Sequence, residues 1–134
     1  MTMKFDPTLV HEWLHRSAQR YPDKEALVCG NKRWTYAQLD QAVSALAYGL
    51  MQAGLRRHDR VVTYLGNTAE NVISLYGALK AGGVGIIAPG TIKAPKLQYI
   101  LKDSGARFLI CDVTKAREIC RVLEEEALDL QIIW

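Results

Sequence analysis

Hydrophobic positions alternate between helical and extended spacing along most of the 134-residue chain. Apolar residues spaced three and four apart predict one helix over residues 7–20 and a second over 35–53. Short extended runs between them predict a hairpin turning at Gly30-Asn31. Continuous apolar runs predict strands that are buried on both faces. The predicted buried strands are residues 60–65, 84–88, 106–111 and 130–134.

Further helices are predicted between these strands. Asn67 and Glu70, three residues apart, predict a capping box at the start of the third helix, and Gly82-Gly83 ends it. The other predicted helices are residues 95–103, with Pro95 in the first turn, and a helix from Asp112 or Thr114 to about residue 127. This alternation predicts an α/β fold with a mostly parallel sheet and helices on both faces. By length, residues 1–134 form a single α/β subdomain.

Composition narrows the classes of partner. Hydrophobic residues make up 49% and charged residues 23%, which is typical of a globular protein. The formal net charge of +3 is small and scattered, so we expect no nucleic-acid partner. No apolar run reaches the ~20 residues that a membrane-spanning helix needs, and the N-terminus lacks a secretory signal. Cys29, Cys111 and Cys120 lie in apolar segments, which predicts buried thiols and a cytoplasmic location.

Two short motifs match known sites by letter. His11-Glu12-Trp13-Leu14-His15 fits the H-E-x-x-H pattern of zinc peptidases, in which two histidines share a helix face. We interpret it as the polar side of a surface helix, and predict no metal ligand. Residues 83–88 fit a dinucleotide fingerprint, but that fingerprint must follow a strand and open a helix. Here it follows a predicted helix and enters a strand, so we interpret it as a helix end.

Several segments together resemble one enzyme family. The matching segments are Trp34-Thr35-Tyr36-Ala37-Gln38-Leu39, Gly54-Leu55 with Asp59-Arg60-Val61, Asn67 with its helix, and Leu79-Lys80-Ala81-Gly82-Gly83-Val84. They resemble the N-terminal portion of the adenylate-forming acyl-CoA synthetases, whose relatives include non-ribosomal peptide adenylation domains and luciferase. Two positions depart from the family pattern. Pro89-Gly90 stands where the family has Asn-Pro, and His58 replaces the glycine before Asp59.

The resemblance implies a two-step reaction, in which a carboxylate is adenylated by ATP and the acyl group then passes to the CoA thiol. ATP, magnesium and CoA are thus implied for a complete enzyme of this kind, with a role in fatty acid metabolism. The family's Ser/Thr/Gly-rich phosphate loop and mobile lysine have no counterpart in this sequence. We therefore expect a truncated N-terminal fragment without catalytic residues, inert alone. Some relatives carry a basic residue near the CoA phosphates after the turn at Pro89, but its closest counterpart here is Thr91, so that role is not carried over. Thr91 and Lys93 are the cofactor-binding candidates that remain, with Lys96 as a further substitute.

The expected partners are the remainder of the ligase and a second copy of the chain, joined through exposed apolar faces. Two other functions stay open. The chain could be a stand-alone, non-catalytic α/β binding or regulatory module, which the reading frame after Trp134 would distinguish from the ligase. A small zinc peptidase through His11 and His15 is the third, and metal analysis would decide it.

Overall fold

The computed structural model describes residues 8–125 and 128–134. Helices and strands alternate along the described chain as the hydrophobic pattern predicts. The elements are α1 Val10–Arg20, β1 Glu25–Cys29, β2 Lys32–Thr35, α2 Tyr36–Gln52, β3 Arg60–Leu65, α3 Ala69–Lys80, β4 Val84–Pro89, α4 Ala94–Ser104, β5 Phe108–Cys111, α5 Ala116–Glu125 and β6 Gln131–Ile133. A single-turn 3-10 helix, Val113–Lys115, precedes α5.

Four parallel strands form the main sheet in the order β4-β3-β5-β6. Val62 of β3 lies opposite Ile86 on one side and Leu109 on the other. Strands β1 and β2 pair antiparallel in a separate two-stranded sheet. The predicted α/β fold with a parallel sheet is therefore confirmed. Within the two described ranges, no helix combines the length and the apolar character that crossing a lipid bilayer demands.

Helices cover both faces of the sheet, because alternate residues of each strand point to opposite sides. On one face, Val62 and Tyr64 of β3 pack in a cluster with Leu97 of α4 and Ile119 of α5. On the opposite face, Val61 and Leu65 of β3 pack with Leu50 of α2 and Ala78 of α3. The sheet thus separates two cores, and the carboxyl ends of its strands stay uncovered between the helix layers.

Helix α1 packs on α2 and α3 rather than on the sheet. Leu14 joins Leu39 and Val43 of α2 in a third apolar cluster. Polar contacts reinforce it: Asp40 lies 2.9 Å from His15 Nδ1 and 3.4 Å from Lys80 Nζ. The helical spacing of Leu9, Val10, Trp13, Leu14 and Ser17 predicts the packed face of α1 only in part, since the buried residues of α1 are Leu14 and Ala18. Leu9, Val10 and Trp13 are exposed.

The predicted capping box at Asn67 is wrong. The position that caps α3 is Thr68, without a side-chain hydrogen bond, and Glu70 is the second residue of the helix rather than the third. The turn after β3 is one residue longer than predicted, because Asn71 closes it by donating from Nδ2 to the Gly66 carbonyl over 3.2 Å. Thr35, the first residue of the helix predicted over residues 35–53, is confirmed as its cap, and it forms a capping box with Gln38.

The large apolar residues of α3, at positions 72, 73, 75, 76 and 79, predict its inward face. They are only half-buried, with Val72, Ile73 and Tyr76 packed against the third apolar cluster. The fully buried residues of α3 are Ala69, Ser74, Gly77 and Ala78. The reason is close packing against α2: a Cβ added at Gly77 would lie 2.8 Å from Leu46 Cδ2. Small side chains let α2 and α3 approach closely, and the larger side chains of α3 lie at the edges of this contact.

Strand boundaries differ modestly from prediction. The strand predicted over residues 106–111 is Phe108–Cys111, and that over 130–134 is Gln131–Ile133. Strand β4 is not buried on both faces as predicted, because it is an edge strand that exposes Val84 and Ile87. The expected helix start at residue 7 and helix end at residue 127 lie outside the described residues.

The three thiols are free but not all buried, contrary to the prediction. Cys111 is buried in β5, Cys29 is half-buried and Cys120 is exposed on α5. An apolar neighbourhood in sequence did not bury Cys120, because the helix turns that position away from the sheet while its neighbour Ile119 faces the core.

Candidate ligand-binding crevice

The order in which the chain adds strands to the sheet reverses at β3. From β3 the chain moves outward to β4, then crosses back to place β5 on the other side of β3. In open α/β sheets, ligands bind outside the carboxyl ends of the strands at such a reversal, because the adjoining loops diverge there. The loops that follow β3 and β5 therefore define the candidate site, which we call the crevice.

The polar half of the crevice is a groove of about 490 Å³. It lies between the loop after β3, the turn after β4 and the 3-10 helix. Its polar lining side chains are Tyr64, Asn67, Thr68, Asn71, Thr91, Asp112, Thr114 and Lys115. Asp112 and Lys115 are its charged members, and the rest are neutral hydrogen-bonding groups.

The apolar half is a pocket of about 470 Å³ on the α2–α3 side of the sheet. Leu65, Thr68 and Asp112 line both halves, so the two are contiguous. The other apolar lining residues are Leu46, Ile73, Ile110, Val113, Ile133 and Trp134. The crevice thus presents a polar and an apolar surface that meet at Asp112.

Tyr64 fixes the floor of the polar half. Its hydroxyl lies 2.7 Å from the Ile92 carbonyl oxygen and 3.2 Å from Glu118 Oε2, joining β3 to the β4–α4 turn and to α5. Tyr64 is completely buried. Burial first, and the negative charge and hydrogen bond of Glu118 second, raise the pKa of Tyr64 to about 12. The phenol is therefore a neutral structural donor at physiological pH.

The two charged side chains of the polar half, Asp112 and Lys115, differ in the groups that they contact. Backbone and side-chain hydrogen bonds from Thr114, followed by the charge of Lys115, hold the pKa of Asp112 below its usual value, so its carboxylate is ionised. Lys115 is engaged on two sides. Its Nζ lies 3.7 Å from Glu118 Oε2 and 5.5 Å from the centre of the Tyr64 ring.

Close backbone contacts hold the loops of the crevice in place. A Cβ added at Gly90 would lie 3.0 Å from both the carbonyl carbon and the oxygen of Leu65, which are rigid backbone atoms. The Gly90 amide donates to the same Leu65 oxygen over 3.1 Å. On the other side, Thr63 Oγ1 donates to Asn71 Oδ1 over 3.0 Å. The crevice is therefore largely preformed.

The two cofactor-binding candidates fall in different places. Thr91 lines the polar half of the crevice. Lys93 caps α4 through its backbone, is exposed, and is not among the residues that line the groove. A cofactor-binding role for either residue stays a prediction. Asn67, at the turn that opens α3, also lines the groove.

The residues of the two letter-matched motifs are engaged elsewhere. Glu12 Oε2 accepts from the Leu9 amide over 3.1 Å, and His15 contacts Asp40 and Gln19 through its two ring nitrogens. Among the residues that the structure describes, no three His, Cys, Asp or Glu side chains come together as metal ligands. Residues 83–88 run from the end of α3 into β4, the reverse of a dinucleotide-binding context.

Sequence reasoning missed the Tyr64, Glu118 and Lys115 cluster. Tyr64 and Glu118 are 54 positions apart, and no motif joins them. Asp112 was identified as a helix cap but not as a crevice residue. Its position directly after a buried strand could have indicated this, since the carboxyl ends of parallel strands lie at one edge of a sheet.

Comparison with known proteins identifies the family. A family model described as AMP-binding enzyme matches residues 14–133. The chain belongs to this family. Tyrocidine synthase 1 of Brevibacillus parabrevis is 33% identical over 131 residues, covering 90% of this chain and 12% of the synthase. A medium/long-chain-fatty-acid–CoA/3-oxocholest-4-en-26-oate–CoA ligase of Mycobacterium marinum is 33% identical over 104 residues, covering 78% of this chain and 19% of the ligase.

The fold of this AMP-binding family member matches solved relatives. The N-terminal domain of FACL13 from Mycobacterium tuberculosis superposes with a TM-score of 0.85 and 27% identity, covering 94% of this chain and 33% of that domain. The resemblance to adenylate-forming ligases is therefore confirmed. The chain spans 12% and 19% of the two curated relatives' lengths.

The described crevice does not by itself fit the magnesium–ATP that the resemblance to adenylate-forming ligases implies. A triphosphate needs several cationic or backbone donors, and magnesium needs carboxylates free to bind it. The polar half supplies one ionised carboxylate, Asp112, which would repel phosphate. Its one lysine, Lys115, is paired with Glu118. These residues therefore cannot by themselves hold a magnesium–triphosphate for reaction.

Proposed function

We propose that the chain supplies the N-terminal scaffold of an ATP-dependent ligase that adenylates a carboxylic acid and transfers the acyl group to a thiol, and that the chain alone is inert. The charge of the crevice is the observation that carries the proposal. Ionised Asp112 and the Lys115–Glu118 pair leave no net positive charge for phosphoryl transfer, which depends on charge neutralisation and positioning. The crevice then serves as one wall of a larger site.

The complete enzyme would use ATP, magnesium and CoA. Family membership supports ATP, and the name of the Mycobacterium marinum ligase supports CoA as the thiol. That name also supports fatty acids as the substrate class. The match to tyrocidine synthase 1 supports the wider class of carboxylic acids equally. Free cysteines, one of them exposed, support a cytoplasmic location, where thiols stay reduced.

Self-association of the isolated chain is a second part of this proposal. Strand β4 is an edge strand without a charged residue, and it exposes Val84 and Ile87. Uncharged edges of this kind pair with further strands. Light scattering is expected to show dimers or larger species that Ile87→Lys converts to monomers. A wild-type chain that stays monomeric at high concentration would contradict this.

Pyrophosphate release tests the inert scaffold. The purified chain is incubated with MgATP and a panel of fatty, aromatic and amino acids, with a complete acyl-CoA ligase as the positive control. Circular dichroism and cooperative thermal unfolding establish that the chain is folded. We expect no release above the enzyme-free background for any acid. Acid-dependent pyrophosphate release by the chain alone would overturn the proposal.

A further inference from the structure

The apolar half of the crevice has the size and walls of a small-molecule site. Its volume of about 470 Å³ falls within the range of roughly 300–1,000 Å³ that is typical of ligand pockets. Leu65 and Ile110 of the sheet form its floor, and Leu46 and Ile73 come from the two helices above. An apolar body can therefore be seated there against two layers of the fold.

The polar groups of this half are acidic. Asp112 and Glu70 are its charged lining residues, and no lysine or arginine lines it. Hydrogen bonds from Thr114 keep the Asp112 carboxylate ionised. Lys115 lines the adjoining polar half, where it is paired with Glu118 and lies over the Tyr64 ring.

An aromatic ring completes the rim. Trp134 lines the same half and is 55% exposed, so one part of its indole can face a ligand. Aromatic faces attract ammonium groups through their quadrupole, and indole does so most strongly. The carboxylates and the indole can therefore attract an ammonium group. The apolar floor can accept the hydrophobic part of the same ligand.

We propose that the apolar half of the crevice binds a small hydrophobic amine, with its apolar body against Leu65 and Ile110 and its ammonium group at the Asp112 rim. A carboxylate of the same shape is repelled by Asp112 and Glu70. A neutral alcohol keeps the apolar contacts but loses the charge attraction. The inference concerns equilibrium binding by residues of this chain and does not depend on the ligase proposal.

Calorimetric titration with three isosteric probes tests the proposal on the 134-residue chain. The probes are 2-phenylethylamine, 2-phenylethanol and phenylacetate, which share a body and differ in charge. We expect the amine to bind about 1.5- to fivefold more tightly than the alcohol, the range of a solvent-exposed ion pair, and phenylacetate to bind least. High salt should narrow the difference, since it screens exposed charges.

Variants locate the site. Asp112→Asn keeps the cap of the 3-10 helix, because asparagine caps as well as aspartate, and is expected to reduce the preference for the amine over the alcohol. Asp103→Asn removes an exposed acid from the end of α4 and should leave the preference unchanged. Trp134→Leu should weaken amine binding more than alcohol binding.

Three results would overturn the inference. The first is equal affinity for the amine and the alcohol in the wild-type chain. The second is an amine preference that Asp112→Asn leaves undiminished. The third is the absence of saturable binding by any of the three probes.

Discussion

Removal of the Tyr64 hydroxyl tests the core of the crevice. Tyr64→Phe keeps the buried ring but deletes the contacts of the hydroxyl with the Ile92 carbonyl and with Glu118. A buried hydrogen bond contributes about 0.5–1.5 kcal/mol, and a polar group left unpaired costs about 1–3 kcal/mol. Glu118 is 29% exposed and can hydrate, whereas the half-buried Ile92 carbonyl loses its short partner. We expect a loss of about 1–2 kcal/mol in the free energy of unfolding.

The pH dependence of the same variant gives a second signature. Below pH 10 the phenol is protonated in both the folded and the unfolded state. Between pH 10.0 and about 12 the unfolded state loses its proton while folded Tyr64 keeps it, so unfolding releases a proton and stability falls as pH rises. Phenylalanine has no proton to release, so its stability does not change with pH for this reason. The stability deficit of Tyr64→Phe should therefore shrink through this window.

Urea unfolding followed by circular dichroism measures both effects. Tyr99→Phe is the matched control, because Tyr99 is 62% exposed and should change stability by less than about 0.5 kcal/mol. The slope of the unfolding free energy against urea concentration should be the same for the wild type and both variants, since the surface exposed on unfolding is unchanged. A Tyr64→Phe variant as stable as Tyr99→Phe would refute the structural role that we assign to the hydroxyl.

Other predictions concern packing and thiol chemistry. Gly77→Ala should lower the free energy of unfolding by about 1 kcal/mol or more, because its Cβ would overlap Leu46 between α2 and α3. Gly49→Ala, in an open part of α2, should raise the free energy of unfolding by about 0.5–1 kcal/mol, because alanine favours the helix more than glycine does. If urea unfolding shows that both variants are stabilised, or that both are destabilised, the packing that we describe at Gly77 is contradicted. Burial, with a contribution from Asp112, raises the pKa of the Cys111 thiol to about 12, so iodoacetamide should modify exposed Cys120 first and Cys111 only on unfolding. Mass spectrometry of partially alkylated protein checks this order, and early labelling of Cys111 would contradict it.

Local sequence patterns predicted the elements because their causes are local. The run Arg60–Leu65 reads as a buried strand, and Thr35 with Gln38 reads as a helix start, whatever surrounds them. The alternation of these elements along the chain then predicted their assembly into a parallel sheet. Strand ends were not predictable in this way, because the apolar run predicted a strand over residues 106–111, whereas β5 is Phe108–Cys111 and pairs with Val61–Tyr64 of β3.

Features that depend on distant neighbours were not predictable in this way. The apolar run of β4 would look the same in the middle of a sheet, yet β4 lies at its edge. The buried face of α3 is set by contact with α2 at Gly77, which the spacing of large apolar residues does not reveal. The crevice joins residues that are far apart in the chain, such as Tyr64 and Glu118. Its location follows from strand order, and its chemistry from side chains that strand order brings together.

Equilibrium binding of MgATP to the isolated chain is the most direct test of the central claim, that this AMP-binding family member contributes a scaffold and not a phosphate site. Calorimetric titration of the folded 134-residue chain is expected to show only heats of dilution, because Asp112 and the Lys115–Glu118 pair offer no net positive charge. Saturable, one-to-one binding with micromolar affinity would contradict the account.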